Sequence, residues 1–427
     1  MRIAVIGAGI VGVTTAYELA CDGHEVIVYE RHSSVAAETS FANAGVLAPG
    51  YVTPWAAPGM PWKVMRQLFS THAAVRFGGW NALAQAPWLW RWWRSCARAA
   101  HQANRSTLQR LAHYSRERQL ELTKTLQLEY EQRQGYLVLL RKARDVARAH
   151  AGLRLLGELG VAHTLVDAAQ ARKIEPALNP DTALAAAIHL PQDGVGNCRQ
   201  FAHLLKAQAQ QHGALFRFEH QVRRIVPGPR PTLEFDLPGH EGDTRIEAPP
   251  AFDAIVVCAG HQAATLLTPL HVRVPLAPIY GYSITAPVRH LETHPDMAPR
   301  AGLMDETYKV AITRLGQRVR VAGSAEIGGH AKVHNQAVLR TLYRVLDDWF
   351  PGAAVTSQAQ AWKGARPMLP DGPPVIGASG AAGLWLNLGH GSSGWALSCG
   401  SARLLADLVS GRAPAIDPAG LDLARLR

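Results

Sequence analysis

Residues 2–30 read RIAVIGAGIVGVTTAYELACDGHEVIVYE, and no other stretch narrows the possible folds so far. Ile3–Ile6 is a short, apolar, partly β-branched run, the pattern of a buried strand. Gly7, Gly9 and Gly12 then fit G-x-G-x-x-G. A helical pattern runs from Ile10 to Cys21 and stops at Asp22-Gly23; Glu25–Tyr29 is a second strand, closed by Glu30. Each glycine has a task. Gly7 allows the tight turn out of the strand, Gly9 lets the backbone approach a pyrophosphate, and Gly12 lets helix and strand pack closely. The free N–H groups at the helix start, around Ile10 and Val11, and the positive dipole end attract phosphate. Glu30 stands 18 residues after Gly12, placed to accept hydrogen bonds from ribose hydroxyls. The unit predicts dinucleotide binding and leaves open whether the cofactor is NAD or FAD.

The next segment, RHSSVAAETSFANAGVLAPG (31–50), is small, polar and without period. It suits a backbone wrapping a large planar cofactor, and equally an ordinary surface loop. Arg31, Ser40, Asn43, Ala44, Gly45 and Val46 are its candidate cofactor contacts. Further on, helices are predicted over roughly 104–128, 143–159 and 336–349, and another from near Arg199 that places Phe201, Leu204, Leu205 and Gln208 on one face. Strands are predicted at 135–140, 186–190, 215–218, 222–226 (with Val222 a cofactor candidate) and 252–260, the last ending at Ala259-Gly260. The stretch 275–285 and the pair within 307–327, turning at Leu315–Gln317, have antiparallel alternation. The Pro/Gly-rich stretch 227–252 reads as loops and short edge strands. The expected class is α/β, α+β overall: a Rossmann-like dinucleotide-binding domain with a second, substrate domain built on an antiparallel sheet plus helices.

The chain has 427 residues, 48% of them apolar and 18% charged, so it has ample length for a large core. Its net charge of +11 favours anionic partners, yet no basic block or aromatic RNA-binding signature occurs, and nucleic acid is not an expected partner. Five scattered cysteines without a C-x-x-C pair argue against a disulfide framework and for a reducing, cytoplasmic setting. No zinc-ligand pattern occurs, and no metal is expected. No uninterrupted apolar run is long enough to span a bilayer.

DETYKVAITR (305–314), GARPMLPDGPPVIG (364–377) and LWLNLGHGSSGWALSCGS (384–401) extend the reading to the rest of the chain. With the N-terminal unit they resemble the FAD-dependent D-amino-acid dehydrogenases, within the group that includes glycine oxidase and D-amino-acid oxidase. The resemblance runs from Met1 to about residue 415. It implies non-covalent FAD, held in part by Gly389, His390, Gly391, Ser392, Ser393 and Gly394. A helix then begins at Trp395 and ends before Gly411, with its N-terminus facing the flavin. In the resembled family the Arg of G-x-R-P clamps the substrate carboxylate, assisted by a Tyr; here these are Arg366 and Tyr308. A planar, permanently charged fork matches a carboxylate bidentately. The alternative for Arg366 is a structural ion pair with Asp371, and for Tyr308 a place at the core edge. Tyr282 and Tyr51 are pocket candidates, and His390 a candidate base. The chain departs from the family pattern at Tyr280, where many relatives have Lys, and at Leu369, where many have Thr.

The resemblance further implies hydride transfer from the substrate Cα to flavin N5, with the imino acid hydrolysing to a 2-oxo acid and ammonia and electrons passing to a quinone or another non-oxygen acceptor. WLWRWWRSCARAA (88–100) interleaves Trp and Arg. It reads as an interfacial helix contacting the inner face of the cytoplasmic membrane, or as a helix packed on its own domain. The expected cofactor domain comprises 1–50, 193–272 and 358–427, and the substrate domain 51–192 and 273–357. Two other readings remain: a relative acting on a cyclic or N-alkyl amino acid such as a D-proline derivative, and a non-enzymatic dinucleotide sensor.

Overall fold

The opening βαβ unit forms as its pattern dictates. In the computed structural model, which describes residues 1–67, 72–158, 160–236, 251–290 and 297–426, Arg2–Ile6 and Glu25–Tyr29 are parallel strands joined by the helix Ile10–Cys21. Ala254–Val257 pairs on the other side of the first strand, followed by Leu384–Leu388 and then antiparallel Val375–Ala378, while Leu215–Arg217 closes the far edge. Ile10–Cys21, Cys198–Gln211 and Gly394–Val409 share one apolar core with the long helix Arg98–Thr125. Glu18, wholly buried in that layer, is neutralised by Arg118 at 2.7 Å and Arg403 at 2.9 Å, so the charge is paired where water cannot reach it.

The second sheet has a main path running Gln360–Met368, Ala277–Pro287, Arg318–Ile327, Val310–Leu315, Gly302–Asp305, Arg133–Leu140, Ala186–Val195 and Val46–Leu47, with two short strands attached to it. Strand alternation gives it two faces with different tasks. Tyr282, Ile284, Val310, Ile312, Val319 and Val321 pack on the helix Gln336–Trp349. The opposite face carries Ser283, Thr313 and Arg320 and meets the loop that follows the first βαβ unit. Ser283 Oγ donates to the Ala42 carbonyl at 2.8 Å, Arg320 Nη1 donates to the Asn43 carbonyl at 3.0 Å, and the Gly45 backbone lies against Leu315 and Thr313. Pairing between Ala277–Pro287 and Arg318–Ile327 slips between Tyr280 and Tyr282, so that Ser324 and Ala325 bulge opposite Gly281. Ser324 takes φ +64° there, a left-handed conformation a bulge can require of a non-glycine residue.

Several elements differ from their predicted extents. The Trp/Arg segment is not one helix: Ala86–Ser95 ends, Cys96 and Ala97 break the chain, and Arg98 starts the next helix. The strand expected at 186–190 continues to Val195 because Gly194 and Val195 pair with Leu47 and Val46. Gln360–Met368, expected with the cofactor unit, is hydrogen-bonded in the large sheet. Part of the 227–252 stretch, residues 237–250, lies outside the described residues. All five cysteines are free thiols.

Candidate functional site

A cleft opens at the C-terminal ends of the parallel strands. It gathers Gly7, Gly9, Ile10, Val11, Glu30, Arg31, Ser40, Val222, Ala259, Gly260, Gly389, His390, Gly391 and Gly394 from distant parts of the chain. The backbone explains the glycines. Gly7 has φ +99°, and a Cβ there would stand 2.8 Å from the Cys258 carbonyl oxygen; one on Gly12 would stand 1.9 Å from the Gly7 oxygen. Gly12 is therefore a packing glycine behind the cleft. The N-terminus of Ile10–Cys21 has no side-chain cap at Gly9, although Ser40 Oγ accepts from the Ile10 N–H at 3.1 Å. The helix Gly394–Val409 likewise starts at Ser393 without a side-chain cap. Two helix ends thus present N–H groups and positive dipole to one cavity.

Glu30 is oriented by its own backbone surroundings. Its Oε2 accepts from the Ala8 N–H at 2.7 Å and its Oε1 from the His32 N–H at 3.0 Å. Each oxygen keeps a lone pair for a ribose hydroxyl. Asn387, whose Oδ1 is buried and unpaired, lines the same cleft and offers an acceptor to a ligand. These features fit FAD. Thr39, Pro367 and Asn387 are lining residues that the sequence reading missed, although Asn387 stands in the quoted LWLNLGHG run. Asn43, Ala44, Gly45, Val46, Ser392 and Ser393 are not among the lining residues: Asn43, Gly45 and Val46 lie against the large sheet, and Ser392 and Ser393 lie within the short turn that precedes the C-terminal helix.

Arg366 extends from the strand next to the cleft. Its guanidinium lies over Gly281, and Nη1 donates to the Ser324 carbonyl at 2.8 Å, the carbonyl that the bulge turns toward it. Burial pushes the guanidinium down to about 10. Among the described residues it has no ion-pair partner, and Asp371 instead pairs with Arg425 at 2.9 Å. The structural ion pair considered for Arg366 is thus absent, and a desolvated cation remains, which a ligand carboxylate would satisfy.

Tyr308 and Tyr282 fall elsewhere. Tyr308 packs on the core beneath Gln336–Trp349, with the Arg141 guanidinium 5.0 Å and the His72 ring 5.8 Å from its ring centre. Tyr308 makes no hydrogen bond to Arg366 among the described residues. Tyr282 faces the same helix and donates to Glu326 at 2.6 Å. Both sit on the face of the large sheet turned away from the Ala42–Gly45 loop. Tyr51 is held by Glu306, to which its hydroxyl donates at 2.6 Å. His390 is buried beside the cleft, and burial lowers its pKa to about 3. Ser401 spends its hydroxyl proton on the Leu397 carbonyl at 2.8 Å, so at 2.9 Å from His390 it accepts the Nε2 proton. His390 therefore stays neutral with a fixed tautomer, which disfavours it as a proton-accepting base.

A dinucleotide cleft with two helix N-termini, joined to a large, mostly antiparallel sheet whose edge strand holds an arginine without an ion-pair partner among the described residues, fits a flavin-type oxidoreductase. The family described as FAD dependent oxidoreductase matches residues 2–408, and the chain belongs to it. A D-amino acid dehydrogenase of Cereibacter sphaeroides is 42% identical over all of this chain and 95% of its own length. One from Rhizorhabdus wittichii is 40% identical over the full length of both. Among solved structures, glycine oxidase from Geobacillus kaustophilus superposes with a TM-score of 0.73 at 20% identity, covering 99% of this chain and 98% of its own. The protein is an FAD-dependent oxidoreductase with the glycine oxidase fold.

Proposed function

We propose that the protein is a D-amino acid dehydrogenase, oxidising the Cα–N bond of its substrate to an imino acid that hydrolyses to a 2-oxo acid and ammonia. The observation that carries this reading is Arg366, half-buried, without a carboxylate partner among the described residues and adjoining the cleft through Pro367. Full-length likeness to two proteins named D-amino acid dehydrogenase supports the substrate class. Bound FAD supplies the hydride acceptor. Arg366 binds the substrate carboxylate and fixes the direction of Cα; orientation of this kind is worth up to roughly 7–11 kcal/mol of a barrier. The first-sheet loop and the C-terminal turn, with Gly9, Glu30, Ser40, Gly389 and Gly391, hold the cofactor without a covalent bond. His390, neutral, shapes the cofactor wall. We further propose that segments 1–50, 193–272 and 369–427 form the cofactor unit.

The electron acceptor we propose is a membrane quinone, reached by peripheral binding. Trp62, Met65, Trp80, Leu83, Trp90 and Trp93 are exposed large apolar residues within one stretch, and Lys63, Arg66 and Arg94 stand exposed among them. In Ala86–Ser95, Trp88 and Trp92 are buried while Trp90 and Trp93 face out, 5.0 Å apart. Aromatic side chains interleaved with cations suit the head-group region of an anionic bilayer. No helix of the described residues is long and apolar enough to cross a membrane. The test of the reaction is anaerobic bleaching of the holoprotein by a panel of D-amino acids. Bleaching by D-alanine and not L-alanine is expected; a flavin left oxidised across the panel refutes the substrate class.

A further inference from the structure

The face of the large sheet that meets the 39–45 loop carries a buried arginine besides the half-buried Arg366. Arg320 is 5% exposed, and its Nε donates to Thr285 Oγ1 at 2.9 Å while Nη1 donates to the Asn43 carbonyl at 3.0 Å. No carboxylate pairs with it among the described residues. Glu131, the acid whose charge acts on it, is already committed to Arg318 at 2.8 Å and to Asn197 at 2.8 Å. Burial, with the like charge of Arg318 next, depresses the guanidinium to about 10. A methionine or leucine would fill this volume without the cost of a desolvated charge. A cation kept there suits an anion beyond those the described residues pair with it.

The position points to the cofactor. The loop 39–45 leaves the first βαβ unit and is tied to the large sheet three times: Thr39 Oγ1 to the Ala365 carbonyl at 2.6 Å, Ser283 Oγ to the Ala42 carbonyl, and Arg320 to the Asn43 carbonyl. Only the last tie carries charge. Its acceptor lies within a run whose first residues, Thr39 and Ser40, line the dinucleotide cleft. Arg318, Arg320 and Ala322 alternate onto this face, while Val319 and Val321 join the opposite core.

We propose that Arg320 is a positioning residue for FAD: it clamps the Ala42–Gly45 loop over the sheet, and its unpaired charge favours the reduced, negatively charged state of the cofactor. The proposal stands on FAD binding alone and is independent of the substrate. At an effective dielectric of about 20, a unit charge that lies within roughly 10 Å of a developing negative charge changes such an equilibrium by roughly tenfold.

The experiment is a dye-equilibration titration of the holoprotein with dithionite, for the natural chain, Arg320→Lys and Arg320→Gln, beside FAD dissociation by fluorescence. Arg320→Gln is expected to make two-electron reduction at least about tenfold less favourable, about 30 mV, and Arg320→Lys to recover most of that loss. A Gln variant within threefold of the natural chain, or a Lys variant as impaired as Gln, overturns the proposal. The natural chain gives a second reading that needs no variant. Between pH 7 and 9 its reduction should take up one proton per two electrons; uptake of two overturns the charge assignment.

Discussion

Gly281 offers a way to move the Arg366 guanidinium without touching Arg366. A Cβ at this position would stand 2.3 Å from Nη2 and 2.4 Å from Cζ. Ordinary contact needs about 3.5–4.0 Å, so in Gly281→Ala the guanidinium has to retreat by more than about 1 Å. The backbone itself tolerates the change: Gly281 does not adopt a left-handed φ, and the clashing atoms are the far end of a flexible side chain. The fold should therefore lose little, while the carboxylate clamp shifts. A misplacement of about 1 Å in a reacting complex costs about 10²-fold, or about 2.7 kcal/mol of transition-state stabilisation. The assay is anaerobic stopped-flow bleaching against D-alanine concentration, with thermal melting and bound FAD measured on the same sample. The expected result is a second-order rate constant down about a hundredfold, with a melting temperature within a few degrees and FAD retained. A variant that reduces within threefold of the natural rate would mean that Arg366 does not position the substrate.

Two further outcomes follow from buried and exposed side chains. Asp193 is 3% exposed with Oδ2 unpaired, and burial raises its pKa to about 7 against the pull of Arg116 and the Gly50 N–H. Between roughly pH 4 and 7 the folded chain holds a proton that the unfolded chain has released. The stability that this proton confers is complete below about pH 4 and is lost as pH rises toward 7, by about 4 kcal/mol at pH 8. Asp193→Asn removes the titration, so scanning fluorimetry should find the variant more stable at pH 8, with the gap closing toward pH 4; an equal gap at every pH contradicts this. At the proposed membrane face, Trp90→Ala with Trp93→Ala should weaken sedimentation with anionic vesicles at least tenfold, since burying one large apolar side chain is worth about 1.5–3 kcal/mol. Binding that survives both changes, or that is absent in the natural chain at low salt, removes the membrane proposal.

What could be read in advance follows the range of the interactions. The βαβ unit is local: a buried strand, three glycines with steric reasons and an acid complete it within 30 residues, and it formed in register. The C-terminal strand, turn and helix are likewise set by nearby signals, with Gly411 at φ +67° ending the helix. The break at Cys96-Ala97 was invisible because no Gly or Pro marks it; Trp88 and Trp92 are instead drawn into a core with Trp55 and Met368. Residues such as Thr39 and Pro367 reach the cleft only because distant strands pair, which no local pattern records.

The large sheet separates the arginine from the tyrosines. Side chains alternate across a strand, so a one-residue difference in register sends a residue to the other face. Arg366 and Gly281 share the cofactor side, whereas Tyr280 and Tyr282 turn to the helix side, where the Lys363 ammonium lies 4.6 Å and 5.0 Å from their ring centres. Lys363 is 2% exposed and is neutralised by Glu326 at 2.6 Å. Lys363 thus brings a positive charge beside Tyr280 from the adjacent strand, on the back of the sheet. Leu369 meets the Gly389 backbone, where a Cβ would stand 2.5 Å from its Cδ1, so it supports the cofactor turn by packing in place of a hydroxyl. Tyr280 and Leu369 both adjoin the elements that carry Arg366 and the Gly389 turn. Their effect belongs to how firmly those elements are held, and substrate range should follow from the residues on the cofactor face.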